Sequence, residues 1–104
     1  MKEIKSIEEF KEVTATGKSI ILFTANWCPD CIVIKPFMPS VIEKYTDFNF
    51  YTVNRDNLMD LCIELDIFGI PSFVAFKEGS EMGRFVNKDR KTRQQIEDFI
   101  ESLA

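Results

Sequence analysis

Ser19-Ile20-Ile21-Leu22-Phe23-Thr24-Ala25-Asn26-Trp27-Cys28-Pro29-Asp30-Cys31-Ile32-Val33-Ile34 is the stretch on which the fold turns. Ser19 to Thr24 is apolar without alternation, the pattern of a strand covered on both faces. Pro29 suits the first turn of a helix, where its missing N–H has no partner to lose. Two cysteines therefore bracket a strand-to-helix junction. Disulfide exchange needs two thiols close enough to pair, one of them ionised enough to attack. The two-residue spacer supplies the first condition. It also aims Cys28 at the unpaired N–H groups and positive end of the helix, which favours thiolate over thiol. Cys31 lies one turn in and is more shielded, so Cys28 is the candidate nucleophile and Cys31 the resolving thiol.

Outward from this junction the elements alternate. Upstream, Ser6 and Glu9 have the spacing of a capping box, Ile7, Phe10 and Val13 follow at helical spacing, and Gly17 ends the segment. Downstream, a helix is expected from about Pro29 to Tyr45, interrupted or kinked near Pro36 and Pro39. Asn49 to Asn54 reads as a strand, and Leu58, Leu61, Cys62 and Leu65 form the stripe of a short amphipathic helix. Pro71 precedes a strand from Ser72 to Lys77. Glu78-Gly79 is a turn, and Gly83 to Asn87 is expected to return as the second arm of a hairpin. Thr92 with Gln95 opens a last helix carrying Ile96, Phe99, Ile100 and Leu103. The order αβαβαββα is that of one α/β domain over residues 1–104, with helices on both faces of a mixed sheet. Met1 to Lys5 leaves an additional edge strand open.

Composition narrows the chemistry. The 104 residues hold 13 Lys+Arg, 17 Asp+Glu and no histidine, a net charge of −4 that argues against bulk binding to nucleic acid or anionic membrane. Without histidine there is no His-dependent triad, His-ligated metal or haem. Cys62 is the third cysteine of the chain, so a zinc site within one copy has too few soft ligands and a disulfide framework leaves one thiol over. Cys62 sits on an apolar stripe and reads as an inert core thiol. No apolar run follows the basic start and none is long enough to span a bilayer, so a cytoplasmic location is expected.

The sequence resembles the thioredoxin family over nearly its whole length. The resemblance is carried by Phe23 to Cys31, Pro36, Asn54, Gly69-Ile70-Pro71-Ser72-Phe73 and Phe76-Lys77-Glu78-Gly79. It implies a thioredoxin fold, α/β with a central mixed four- to five-stranded sheet and helices on both faces. It also implies a cis Ile70–Pro71 peptide facing the cysteines and a substrate groove of Trp27, Pro29, Ile70, Pro71 and the Val86–Asn87 backbone. A cis proline exposes the Ile70 backbone for strand-like pairing with a substrate peptide. The implied activity is thiol–disulfide exchange with no bound cofactor. Electrons are expected from NADPH through a thioredoxin reductase, and disulfide-containing proteins or small disulfides are the expected substrates of a monomer.

Several positions depart from the family pattern. Pro29-Asp30 replaces the usual Gly-Pro between the cysteines. Leu22 stands where the family buries an aspartate and Thr52 where it has that residue's lysine, so the base for the resolving thiol has no counterpart. Asp30, beside Cys31, is a candidate replacement, a candidate tuner of the thiols by like-charge repulsion, or simply a residue suited to a first helical turn. Asn87 replaces a glycine and is followed by Lys88-Asp89-Arg90-Lys91. A side chain there narrows the groove and favours small or acidic disulfides or a dedicated partner, while the charge run itself reads as a solvated loop. No basic residue lies between the cysteines, which disfavours a strongly oxidising site. The expected function is a cytosolic disulfide reductase working through Cys28 and Cys31. The alternative is a redox-sensing or interaction module with poor turnover, favoured by Leu22 and Asn87.

Overall fold

The computed structural model describes residues 1–103. Its centre is a five-stranded sheet in the order β1-β3-β2-β4-β5, built from β1 (Lys2–Ile4), β2 (Lys18–Thr24), β3 (Asn49–Asn54), β4 (Ser72–Lys77) and β5 (Ser80–Phe85). β1 and β2 flank β3 in parallel, and β4 runs antiparallel to both β2 and β5, so the sheet is mixed as expected. Met1 to Lys5 does supply an edge strand, with Ile4 turned into the core. The helices are α1 (Ile7–Thr14), α2 (Pro29–Ile34), α3 (Met38–Lys44), α4 (Met59–Glu64) and α5 (Arg93–Glu101).

β2 explains why its apolar run has no alternation. Ile21 and Phe23 enter one core with Phe10, Val53, Leu61, Cys62, Val74 and both active-region cysteines. Ile20 and Leu22 enter the other, with Ile34, Met38, Val41, Phe73, Ile96 and Ile100. Period-two side chains on a strand buried on both faces make every residue apolar. Thus α1 and α4 cover one face, and α3 and α5 the other. Leu22 is part of the second core and 4% exposed, an apolar packing residue where the family carries its acid.

Three local readings change. The helix expected from Pro29 to Tyr45 is two helices, because Pro36 lacks the N–H that would bond Ile32 and its ring crowds that carbonyl. Pro39 falls in the first turn of α3, where it is tolerated. The returning hairpin arm begins at Ser80, not Gly83, and ends at Phe85, not Asn87. Glu78 (φ 50°) and Gly79 (φ 84°) make a two-residue turn, so Lys77 pairs with Ser80 at once. Val86 and Asn87 leave the sheet because Asn87 is drawn toward Ser72. At Ser6 the box is half formed: Ser6 Oγ accepts from Glu9 N at 3.1 Å, but the Glu9 carboxylate accepts from Lys5 N at 2.8 Å. The Thr92–Gln95 box is complete.

Glu97 ties the helices of the second face, accepting from Arg93 Nε at 2.7 Å and from Lys44 Nζ of α3 at 2.8 Å. Arg93 first, then Lys44, hold its carboxyl below the ordinary carboxylate range. A depressed carboxyl stabilises the fold above its unfolded pKa and ceases to as pH falls through its folded one. Glu97→Gln is therefore expected to lower the urea midpoint slightly at pH 7 and not at all in acid where both forms are protonated. An equal loss at both pH values would show that lost packing, not charge, is responsible.

Candidate active site

The β2–α2 junction places the two cysteines by capping geometry. Cys28 is the N-cap of α2 with extended backbone (φ −82°, ψ 112°), and its Sγ accepts from Cys31 N at 3.2 Å. A sulfur in this position receives the hydrogen bond that an aspartate or serine oxygen usually takes, and the bond is strongest when the sulfur is a thiolate. Ile70 O lies 4.0 Å from Cys28 Sγ. The Ile70–Pro71 peptide is cis, and the Ile70 carbonyl faces Cys28 at one end of the sheet.

Cys31 is only 1% exposed. Burial, then the hydrogen bond to Cys28, push its thiol up to about 11, against opposing hydrogen bonds from Thr24 and the Ala25 backbone. Cys31 thus holds its proton while it sits beside Cys28. Cys62 is equally buried, in the α1/α4 core, and burial pushes its thiol up as well. All three thiols are free.

The rim is built from several segments. Trp27 is 58% exposed beside the cysteines. Its Nε1 donates to Asp56 Oδ2 at 2.8 Å and the Arg55 guanidinium lies 5.1 Å from its ring centroid. Pro29 occupies the first turn of α2, as expected. Ser72 Oγ donates its one proton to Gly69 O at 2.6 Å, with Asn87 O at 3.2 Å as a second, weaker acceptor, which ties the Ile70–Pro71 segment to the loop after β5. Asn87 does not turn its amide oxygen across the groove. That oxygen accepts from Asp89 N at 3.0 Å and Lys91 Nζ at 2.9 Å within its own loop.

Asp30 is also engaged. Its Oδ1 accepts from Arg90 Nε at 2.8 Å, which joins the turn between the cysteines to the loop after β5. The charge run is less solvated than its composition suggests: Lys91 is 2% exposed, while Lys88, Asp89 and Arg90 are exposed. The bracing pair Arg55–Asp56 and the buried Lys91 are the residues that sequence reasoning missed. Position gave a signal for the first, since Arg55-Asp56 directly follows the strand that pairs with β2, but nothing in a run of four charges singles out one as buried. Among the described residues, no cluster of three or more Cys, Asp or Glu side chains is placed to hold a metal ion.

Residues 2–102 match the family model for thioredoxin. The chain belongs to the thioredoxin family. It is similar to the thioredoxin of Callithrix jacchus, 35% identical over 96% of this chain and 99% of the relative. It is also 28% identical to a mitochondrial thioredoxin-2 of Schizosaccharomyces pombe, over 88% of this chain and 72% of that one. Among solved structures, Plasmodium falciparum thioredoxin superposes with a TM-score of 0.87 at 26% identity, over the full length of both chains. The fold is accordingly the thioredoxin fold, and the chain is a thiol–disulfide oxidoreductase that, like other thioredoxins, needs no bound cofactor. Disulfide-containing proteins are the substrate class of this family. No helix among the described residues is long and apolar enough to cross a membrane.

Proposed function

We propose that this thioredoxin runs in the reducing direction, as a single monomeric domain over residues 1–104. The Cys28 thiolate attacks a substrate disulfide and expels one substrate thiolate. Cys31 then attacks the Cys28 sulfur of the mixed disulfide, expels the second thiolate and closes the Cys28–Cys31 disulfide. NADPH, acting through a thioredoxin reductase, returns the two electrons. The observation that carries this reading is the cysteine pair at the start of α2, Cys28 Sγ accepting the Cys31 N–H at 3.2 Å while burial holds the proton on Cys31. Trp27, Pro29, Ile70, Pro71 and the Asn87 backbone form the substrate groove, with the Ile70 backbone offered for strand-like pairing. Asp30 acts through its ion pair with Arg90, holding the loop after β5 against the cysteine turn, rather than as a base. The cytosol is the proposed compartment, supported by a cysteine count of three, which does not make a disulfide framework.

The deciding measurement is the potential of the Cys28–Cys31 couple in a thiol buffer of known poise. A value near about −270 mV supports a reductant, and one between about −120 and −180 mV makes the protein an oxidase or isomerase and overturns the reading. NADPH consumption with a thioredoxin reductase and a disulfide protein separates a turning-over enzyme from the sensing or interaction module. The latter reading is favoured by Leu22, which leaves the resolving thiol without a buried carboxylate, and predicts negligible turnover.

A further inference from the structure

The connection from β3 to the cis proline is tied to the cysteine end of the sheet at both its ends. Near its start, Asp56 accepts from Trp27 Nε1 at 2.8 Å. At its finish, Phe68-Gly69 runs into Ile70, whose carbonyl is 4.0 Å from Cys28 Sγ. Two residues of chain keep Phe68 Cα within about 7 Å of Ile70 Cα. Between these anchors α4 ends in a left-handed turn at Asp66 (φ 57°), a conformation that a short polar side chain tolerates. Asp66 N donates to Ile63 O at 3.2 Å and Ile67 N to Cys62 O at 2.8 Å, the bond pattern of a helix-closing turn. That turn decides where the next side chains go. Ile67 joins Cys62 in the core, whereas Phe68 is left 75% exposed and Ile63, on the outer side of α4, 67% exposed.

Ile63 and Phe68 do not stand alone. With Cys62, Ile67 and Asp66 they line an open cleft of about 300 Å³, the two buried residues forming its floor. Single apolar side chains on a surface are ordinary, but a cluster of them around a cleft marks an interaction surface. The charge beside it has one sign. From 56 to 76 the chain carries Asp56, Asp60, Glu64 and Asp66 and no lysine or arginine. Asp60, Glu64 and Asp66 are exposed, and none of them takes part in the ion pairs of the described residues. Nearby cations are already engaged. Arg55 lies over the Trp27 ring beside Asp56, and Arg84, close enough to feel the charge of Asp66, has its guanidinium on both oxygens of Glu81 at 2.7 and 2.8 Å.

An apolar cleft with free carboxylates beside it is complementary to an apolar side chain flanked by cations. We propose that Ile63, Phe68 and the cleft between them dock the disulfide-bearing protein that this thioredoxin reduces, by taking a large apolar side chain flanked by lysine or arginine. The connection of the cleft to Ile70 sets the spacing. A substrate sulfur at Cys28 lies beside Ile70, and extended chain at about 3.3 Å per residue covers the distance to Phe68 in two or three residues. The docked side chain therefore sits within a few positions of the reacting cysteine. Because the cleft continues the segment that faces the exchanging sulfur, its occupant is the chain that carries the disulfide. This assignment rests on the reading of the protein as a reductant of protein disulfides.

The test uses short peptides with one cysteine, held as its mixed disulfide with thionitrobenzoate, followed by a lysine–phenylalanine–lysine, glutamate–phenylalanine–glutamate or lysine–serine–lysine segment. Release of the coloured thiolate gives a second-order rate, taken relative to the reaction of the same peptide with mercaptoethanol. The parent is expected to react with the lysine–phenylalanine–lysine peptide about five times faster, or more, than with either of the others. Phe68→Ser and Ile63→Ser, both at exposed positions, are expected to lose that preference and keep the parent rate with dithiobis(nitrobenzoate), which is too small to reach the cleft. Asp60→Asn, Glu64→Gln and Asp66→Asn together are expected to erase the difference between the lysine and glutamate peptides and keep the one between phenylalanine and serine. Equal rates for the phenylalanine and serine peptides in the parent, or a preference that survives both serine variants, overturns the docking site. A parent that sediments as a dimer while Phe68→Ser sediments as a monomer gives the face to a second copy and overturns the occupant. So does a KM for thioredoxin reductase that rises in Phe68→Ser while the peptide preference stays. A parent that reduces neither the peptides nor dithiobis(nitrobenzoate) overturns the reductase reading itself, whereas full reduction of the small disulfide without any peptide preference overturns the docking site alone.

Discussion

Cys28→Ser is expected to abolish disulfide reduction, lowering the rate by about three orders of magnitude or more, as loss of a covalent nucleophile does. Cys31→Ser is expected to fail differently. It retains the attacking sulfur and its backbone hydrogen-bond donor, since the N–H of residue 31 caps Cys28 whatever side chain it carries. The first half of exchange therefore proceeds, and a one-to-one adduct accumulates because no second thiol lies beside it. Mass spectrometry after digestion should find the substrate on Cys28. An adduct on Cys62 would refute the assignment, and burial of Cys62 at 1% exposure makes that outcome the sharper test. The parent chain avoids the trap although burial holds the free Cys31 thiol near about 11. At neutral pH only on the order of one molecule in ten thousand carries that thiolate in the free dithiol. Two effects offset this scarcity. The attack is intramolecular, with a high effective concentration, and the mixed disulfide removes the Cys28 hydrogen bond and charge that help to hold the proton. Resolution is accordingly expected to quicken with rising pH through the neutral and mildly alkaline range.

The parts of this site legible in the sequence are those fixed by local chemistry. An unbroken apolar strand running into Trp27-Cys28-Pro29-Asp30-Cys31 needs a strand-to-helix junction, and the absence of histidine leaves the thiols as the working groups. Gly69-Ile70-Pro71-Ser72 carries its cis peptide through resemblance rather than through any rule of spacing. What could not be read is set by contacts distant in sequence. Asp30 looks free beside Cys31 and is instead bonded to Arg90, sixty positions away. Asn87 looks like an obstruction in the groove until its amide oxygen is seen bonded to Lys91 and Asp89 N. Lys91 is indistinguishable from its neighbours in composition, because a long aliphatic stem lets a lysine be buried where three local oxygens receive its head. The start of β5 at Ser80 is hidden for a related reason: Ser80 and Glu81 lie on an exposed edge, where polar residues guard against further pairing and mask the strand pattern.

Gly69→Ala is expected to be among the most damaging single-methyl changes in the chain, and its cause is space rather than backbone conformation. A Cβ at position 69 would lie 2.5 Å from Asn87 C, 2.5 Å from Lys88 N and 2.7 Å from Asn87 O. All three are main-chain atoms, so no side chain can swing aside; either the 69–72 segment or the 87–88 segment must move. Neither is free to. Ser72 Oγ holds Gly69 O and Asn87 O together at 2.6 and 3.2 Å, and Lys91 Nζ holds Asn87 O from the other side at 3.3 Å. Overpacking of this kind costs about 1–3 kcal/mol, and the loss of shared hydrogen bonds adds to it. Gly17 is the contrasting case: its φ of 67° favours glycine, but nothing lies within 4 Å of its Cβ direction. Gly17→Ala is therefore expected to cost only about 1 kcal/mol through conformation, and to leave catalysis alone because it sits at the far end of β2. The two variants separate in function more sharply than in stability. The segments that Gly69→Ala forces apart are the Ile70–Pro71 strand entry and the Asn87 backbone, which lie side by side and together form part of the proposed substrate groove. Its KM for a protein disulfide should rise several-fold at temperatures where it remains folded, while a small disulfide that needs no groove reacts at nearly the parent rate. If Gly69→Ala matches the parent in both urea midpoint and KM, the close approach of these two main-chain segments does not shape the groove.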